Sequence, residues 1–161
     1  MKGLLAFAYS VLFLCASMYL GTGWSLVLFS FPTAPQLTID NYYLQFVPQI
    51  AAATHFFTYV TVLMIALALL MVWGEWRTRF RWVPIVVLLG IIASTLIETQ
   101  IIFPLNAAMR DGITDPSQLV DVIQRWMFLN RIRLVAWTVQ WLSLMWFFAR
   151  QAQPRGVRTD S

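Results

Sequence analysis

The stretch Trp126-Met-Phe-Leu-Asn130-Arg131-Ile-Arg133 directly precedes an uncharged, largely apolar run, residues 134–149. At helical spacing, three of its side chains and the next indole share one stripe: Trp126, Asn130, Arg133 and Trp137. An arginine at membrane depth is costly unless it meets a partner or water. The pattern therefore predicts a transmembrane helix that carries Arg133 on an interior face, and the rest of the chain must supply its partner.

The composition is typical of a membrane protein. The 161 residues are 60% hydrophobic and 11% charged, against roughly a quarter charged in soluble domains, and the mean hydropathy is +0.69. The net charge of +4 does not indicate nucleic-acid binding, because the basic residues lie near the ends of apolar runs. The expected partner is the lipid bilayer. A single cysteine, Cys15, excludes an intramolecular disulfide.

Four apolar runs are long enough to span a bilayer, which takes about 20 residues. They are predicted at residues 4–31, 50–73, 82–103 and 122–150. Prolines are expected to end the first run and, at Pro104, the third. An external loop is expected between the end of the first run and about Pro48. The chain is thus predicted to be an all-α membrane protein, one four-helix transmembrane bundle over residues 1–150, with a disordered cytoplasmic tail at 151–161.

The distribution of basic residues predicts the orientation. Lys2, the arginines between the second and third runs and those from Arg150 onward share one side, whereas the first loop has none and the third has Arg110. The positive-inside rule places the richer side in the cytoplasm. We therefore expect both termini to be cytoplasmic and two loops to be external, in the inner (plasma) membrane.

Unusual residues recur at one predicted depth. Counting about 1.5 Å per residue from the cytoplasmic ends puts Gly21, His55, Glu98 and Arg133 in the outer third of the hydrocarbon core. Glu98 is the expected partner of Arg133, and the pair is either structural or part of a site. In the second case Arg133, Glu98 and His55 are the candidate catalytic residues. The candidate ligand-binding residues are Asn106, Trp126, Asn130, Trp137 and Gly21.

Several kinds of site are excluded by the residues present. A membrane haem with two histidine ligands needs a second histidine, and His55 is alone. A structural zinc site needs about four Cys or His ligands. Paired carboxylates, a P-loop, a nucleotide-binding glycine motif and a Ser-His-Asp arrangement are also missing. We expect no metal and no conventional cofactor.

The last two spans carry a family resemblance. Phe103-Pro104-Leu-Asn106, a short loop, and then Trp126-x-x-x-Asn130-x-x-Arg133 resemble the anthrone-oxygenase-like family, small four-helix membrane proteins long filed as a domain of unknown function. The resemblance implies a four-helix fold and action on flat polycyclic phenols without a conventional cofactor. Asn106, Trp126, Asn130 and Arg133 match the motif. Many relatives are expected to have a histidine where this chain has Asn130.

Three functions follow from these observations. The first is an outer-leaflet polar pocket that binds a lipophilic aromatic small molecule, with a cofactor-independent oxygenase or oxidoreductase of phenols or quinols as its enzymatic form. The alternative is a non-catalytic accessory subunit of a larger membrane complex, in which the charge pair holds the helices together. A small transporter is the third, and it is the least favoured for a monomer, since the chain has one buried charge pair, no inverted repeat and only four helices. An oligomeric pore stays open as an alternative.

Overall fold

The computed structural model describes residues 2–152, which form four long helices joined by short connections. Helix α1 consists of the α-helix Lys2–Ser25, the π-helical turn Leu26–Ser30, the α-helical turn Phe31–Thr33 and the 3-10 turn Ala34–Gln36. Helices α2 and α4 run Tyr42–Glu75 and Pro116–Ala152. Helix α3 is α-helical over Trp82–Ile97, π-helical over Glu98–Ile102 and α-helical again over Phe103–Asp111.

The four helices close into one bundle. Helices α1 and α3 each pack against both α2 and α4. All four are long and apolar enough to cross a membrane, and large apolar side chains such as Leu69, Trp73 and Val135 are exposed on the outside of the bundle. Exposed apolar surface on this scale belongs in lipid. The chain is a multi-pass, all-α membrane protein, and the predicted four-helix bundle is confirmed.

Two predicted helix ends are wrong, because α1 and α3 continue through their prolines. Each proline is preceded by a π-helical turn: the N–H of Phe31 bonds to the carbonyl of Leu26, and the N–H of Phe103 bonds to the carbonyl of Glu98. Proline lacks an N–H and crowds the carbonyl four residues earlier in a regular α-helix. The wider turn just before it relieves both problems, so the helices extend to Gln36 and Asp111.

The predicted first loop is also much shorter than expected. It spans only residues 37–41, and α2 begins at Tyr42, with Pro48 inside the helix. The Asn41 side chain stabilises this turn: its oxygen accepts a hydrogen bond from the Thr38 N–H at 2.8 Å, and its amide donates to the Gln36 carbonyl at 3.3 Å. A tight local hydrogen-bond set thus replaces the long loop that the prolines suggested.

Helix α4 starts with Pro116 at its first position, six residues before the predicted span, and proline is well suited to the first turn of a helix. The Asp115 carboxylate accepts hydrogen bonds from the hydroxyl and the N–H of Ser117, both at 2.9 Å. These bonds favour the charged carboxylate and hold the pKa of Asp115 below its ordinary value. At the other end, Gln151 and Ala152 are helical, although the tail was expected to begin at residue 151; residues 153–161 lie outside the described part.

The interior contains two apolar cores with polar residues between them. The turn-side core lies toward the α2–α3 connection and includes Leu12, Met64, Val87, Leu144 and Phe147. The loop-side core lies toward the other two connections and includes Phe31, Tyr42, Ile102, Met109 and Trp126. Along α4, Asn130 and Arg133 fall between Trp126 of one core and Trp137 of the other. The candidate site occupies this level of the bundle.

Candidate functional site

Glu98 and Arg133 form the central ion pair of this layer. Oε2 of Glu98 meets Nη1 of Arg133, and the two side chains are only 18% and 12% exposed, respectively. Glu98 is the first residue of the π-helical turn in α3, a feature that is frequent at functional sites. The partner expected for Arg133 is therefore present, and it comes from the neighbouring helix.

The orientation of the guanidinium is fixed largely by its own helix. Nη1 of Arg133 donates a hydrogen bond to the Asn130 side-chain oxygen at 2.9 Å, and the Asn130 amide donates to the Trp126 carbonyl at 2.9 Å. The Arg133 Cζ atom lies 4.7 Å from the centre of the Trp137 ring, in a cation–π contact. Buried Nε of Arg133 has no hydrogen-bond partner among residues 2–152. The predicted stripe on α4 thus holds one cation in a defined orientation.

A cavity of about 540 Å³ lies against this pair, and we call it the loop-side cavity. Its walls combine aromatic and aliphatic side chains with a few polar groups. The predicted residues that line it are Asn106, Trp126, Asn130, Trp137, Glu98 and Arg133. This combination of apolar walls and convergent polar groups is typical of small-molecule sites, and the volume suits a molecule of two or three fused rings.

Trp126 forms the wall of the loop-side cavity toward the loops. Its indole N–H donates a hydrogen bond to the Asn106 side-chain oxygen of α3 at 3.0 Å. Its ring makes edge-to-face contacts with Phe46 of α2 and Phe31 of α1, with centroids 4.8 and 5.9 Å apart. One side chain of α4 therefore touches all three other helices.

The structure does not bring His55 to the ion pair. His55 is exposed on α2, with its ring 5.2 Å from that of Tyr59. It lines a surface cleft between α2 and α3, together with Phe103 and Arg110, and it does not line the loop-side cavity. The preceding residue, Thr54, lines both the loop-side cavity and this cleft, and the rotation of about 100° from one residue to the next takes His55 out of the cavity wall. His55 has the expected height along the bundle but faces outward.

Gly21 is also on the outer face. A Cβ atom added there meets no described atom within 4 Å, whereas one added at Gly23 would lie 2.8 Å from Leu134 and 2.9 Å from Trp137. Gly23 is therefore the glycine that lets α1 approach α4 closely. The residue between the two glycines, Thr22, lines the loop-side cavity.

Sequence reasoning missed part of the site. Tyr19 of α1 packs on Trp137 with centroids 5.1 Å apart, and its hydroxyl donates to the Phe57 carbonyl at 2.9 Å. Gln140 of α4 is buried against Gly90. A polar side chain within an apolar run was the available indication for both. Gln140 also continues the predicted α4 stripe, three residues beyond Trp137.

A second cavity, of about 290 Å³, lies beside the first, and we call it the mid-bundle cavity. Six residues belong to the walls of both cavities: Tyr19, Thr54, Phe57, Glu98, Arg133 and Trp137. Gln140 and Ser94 line the mid-bundle cavity but not the loop-side cavity. The ion pair therefore stands where the two cavities adjoin.

No metal centre is formed by the described residues, since no three His, Cys, Asp or Glu side chains come together among them. No family model matches the chain, and no curated protein or solved structure is significantly similar to it. The fold and site define the class of protein: a four-helix, multi-pass membrane protein with a largely buried, cavity-lining ion pair.

Proposed function

We propose that the loop-side cavity binds a lipophilic aromatic molecule that carries a phenolic or enolic hydroxyl, with that hydroxyl at the Glu98–Arg133 pair. The observation that carries the proposal is the position of the pair in the wall of an aromatic cavity. A pair that served only to join α3 and α4 needs no adjoining space, and a hydrophobic contact would do the same at no cost in desolvation.

The two charges offer complementary interactions to a hydroxyl group. The Glu98 carboxylate accepts its hydrogen bond or its proton, and the Arg133 guanidinium stabilises the oxygen anion that results. Asn130 and Trp137 hold the guanidinium in place before the ligand arrives, which is the preorganisation that such stabilisation requires. Aromatic side chains such as Trp126 and Phe46 suit the faces and edges of a flat ring.

An oxygenase is the enzymatic form of this proposal, in line with the resemblance to the anthrone-oxygenase-like family. Glu98 removes the acidic proton, Arg133 stabilises the enolate, and the enolate carbon adds dioxygen to form a peroxide. The peroxide takes the proton back from Glu98 and loses water, which leaves a quinone carbonyl at that carbon. Glu98 takes the role of base, because His55 faces away from the cavity. Anthrone-dependent oxygen uptake that is lost in Glu98→Gln is the expected result; uptake at the wild-type rate in a folded Glu98→Gln protein would refute this form.

Binding itself is tested with 1-naphthol and naphthalene, which differ only in the hydroxyl group. In lipid nanodiscs the wild type should bind 1-naphthol at least tenfold more tightly than naphthalene, as measured by calorimetry and corrected for partition into lipid. Glu98→Gln and Arg133→Gln should remove that preference. Arg131→Gln is the matched control, because Arg131 is exposed and lies over the Phe31 ring. Equal binding of the two ligands by the wild type would reject the proposal.

If the protein instead is extracted from the membrane with a stoichiometric partner and binds neither ligand, the accessory-subunit alternative is favoured.

The orientation belongs to the same proposal: the termini lie in the cytoplasm and the cavity opens toward the outer leaflet of the plasma membrane. Arg77, Arg79 and Arg81 lie at the α2–α3 connection, the end that the positive-inside rule assigns to the cytoplasm. A membrane-impermeant thiol reagent should therefore label Thr38→Cys, but not Gln151→Cys, in intact cells. Both positions are exposed and at opposite ends of the bundle. The reverse labelling pattern would invert the topology.

A further inference from the structure

The loop-side half of α2 is loosely packed. None of residues 43–63 is buried, whereas Tyr42 before them and Met64, Ala68 and Met71 after them are. The loop-side cavity lies on the side of this segment toward α1, and the mid-bundle cavity on the side toward α3. Space is therefore available on both sides of one helix segment, next to the ion pair.

The mid-bundle cavity reaches the outer surface of the bundle between α2 and α3. Four of its lining residues are exposed: Thr58, Val62, Thr99 and Phe103. Val62 alone is 63% exposed. The residues around this mouth lie within the spans of α2 and α3, so the mouth faces the hydrocarbon part of the bilayer rather than water.

The walls of the mid-bundle cavity suit a hydrocarbon chain. Its hydroxyls are mostly bonded back to their own helices: Thr58 donates to the Thr54 carbonyl at 2.8 Å, Thr61 to the Phe57 carbonyl at 2.9 Å and Ser94 to the Gly90 carbonyl at 2.7 Å. Such bonds satisfy the hydroxyl donors and leave methyl and methylene groups on the wall. Val62, Met64, Ile65 and Ile91 add apolar surface, whereas Gln140, whose buried Nε2 has no hydrogen-bond partner among the described residues, leaves a polar group in the wall.

This mostly apolar cavity directly adjoins the Glu98–Arg133 pair. Its lining includes Glu98, Arg133 and Trp137, which also line the loop-side cavity. A molecule whose ring lies at the ion pair therefore has an apolar space beside it that leads sideways into lipid. If phospholipid chains were the only occupants of this space, its position beside the charge pair would have no purpose.

We propose that the natural ligand is an amphiphile, a phenol or quinol ring with an alkyl or isoprenoid tail, whose tail occupies the mid-bundle cavity and passes between α2 and α3 into the bilayer. The inference rests on the proposed function, because it takes the ring to be bound at Glu98 and Arg133. It adds that the ligand is exchanged laterally with the membrane and that α2 and α3 select for the tail.

The test compares 2-methylhydroquinone with 2-decylhydroquinone in lipid nanodiscs. Thr99→Trp and Val62→Trp place a large ring at the mouth, and they should weaken binding of the decyl compound at least tenfold while changing that of the methyl compound less than twofold. Leu96→Trp and Leu63→Trp are the matched controls, since both leucines are exposed nearby and line neither cavity. These controls should leave both affinities unchanged.

The outcomes separate the two proposals. If the wild type binds neither hydroquinone, the proposed function fails. If it binds the methyl compound but not the decyl compound, or if the mouth variants weaken both equally, the ring site stands and the tail proposal is overturned. A decylhydroquinone with a terminal diazirine supplies a measurement on the unmutated protein. Its crosslinks should fall on residues 58–65 and 91–103; crosslinks confined to α1 would overturn the tail proposal.

Discussion

Replacing Glu98 with glutamine is expected to destabilise the bundle by about 3–5 kcal/mol, since it leaves a buried guanidinium without a counter-charge. Arg133→Met should cost less. A carboxyl group that has lost its partner can take up a proton and become neutral, whereas a guanidinium stays charged. Trp137 keeps its contact with Arg133 in Glu98→Gln, but a cation–π contact is worth only about 0.5–2 kcal/mol. The order of the two variants is therefore a specific prediction.

The double variant Glu98→Gln, Arg133→Met removes both charges and should recover most of the lost stability. Replacing a whole buried ion pair by hydrophobic groups of similar volume is often neutral or stabilising, and here both replacements are uncharged and one, methionine, is hydrophobic. Unfolding by a graded denaturing detergent, followed by circular dichroism, measures all three variants against the wild type. Arg131→Gln is the control and should change little, because Arg131 is exposed. A wild-type unfolding midpoint for Glu98→Gln would contradict the assignment of a buried, mutually dependent pair.

The same double variant separates a structural pair from a ligand site. If the pair only joins α3 and α4, the stable double variant binds ligands as the wild type does. If the pair anchors a hydroxyl group, the double variant is stable but loses its preference for 1-naphthol over naphthalene. Stability and binding are thus read independently in one protein.

The ion pair could be predicted from the sequence because of a strong energetic rule. A charge in an apolar run must find a partner or water, and Glu98 was the only acidic residue within the predicted spans. Helical periodicity then placed Trp126, Asn130 and Trp137 on the same stripe as Arg133. All of them line the loop-side cavity, because a single helix fixes its own angular relations.

The positions of His55 and Gly21 could not be obtained in this way. Counting residues gives the height of a side chain along a helix, but its direction depends on how the helix is rotated in the bundle. In soluble proteins the apolar face indicates that rotation. In α2 both the lipid-facing and the interior faces are apolar, so the sequence around His55 carries little angular information.

The helix ends were missed for a different reason. The rule that proline ends a helix applies to the regular α-helical register. Pro32 and Pro104 each follow a π-helical turn, and no local pattern in the sequence announces the extra residue that such a turn contains. The consequence for the site is direct, because Glu98 and Ile102, the two ends of the α3 turn, both line the loop-side cavity.

Trp126→Ala is expected to destabilise the protein by about 3–5 kcal/mol, the usual cost of truncating a large buried aromatic side chain. The effect should lie at the upper end of this range, because Trp126 is in contact with Phe31, Phe46 and Asn106 from three different helices. Trp126→Phe keeps an aromatic ring in the core but removes the donor to Asn106. It should cost roughly 1–3 kcal/mol, the penalty for a buried polar group without its partner.

Detergent-induced unfolding of these variants, with Trp73→Ala for comparison, measures whether Trp126 joins the four helices. Trp73 is 66% exposed on the outside of α2, so its truncation should have a small effect.

Combining Trp126→Phe with Asn106→Leu should cost less than the sum of the single changes, because the two side chains share one hydrogen bond. Strict additivity would show that the indole N–H and the Asn106 oxygen do not depend on each other. An equal loss for Trp73→Ala and Trp126→Ala would show that the loop-side core is not held by Trp126, and the wall of the loop-side cavity would then have to be stabilised by other contacts.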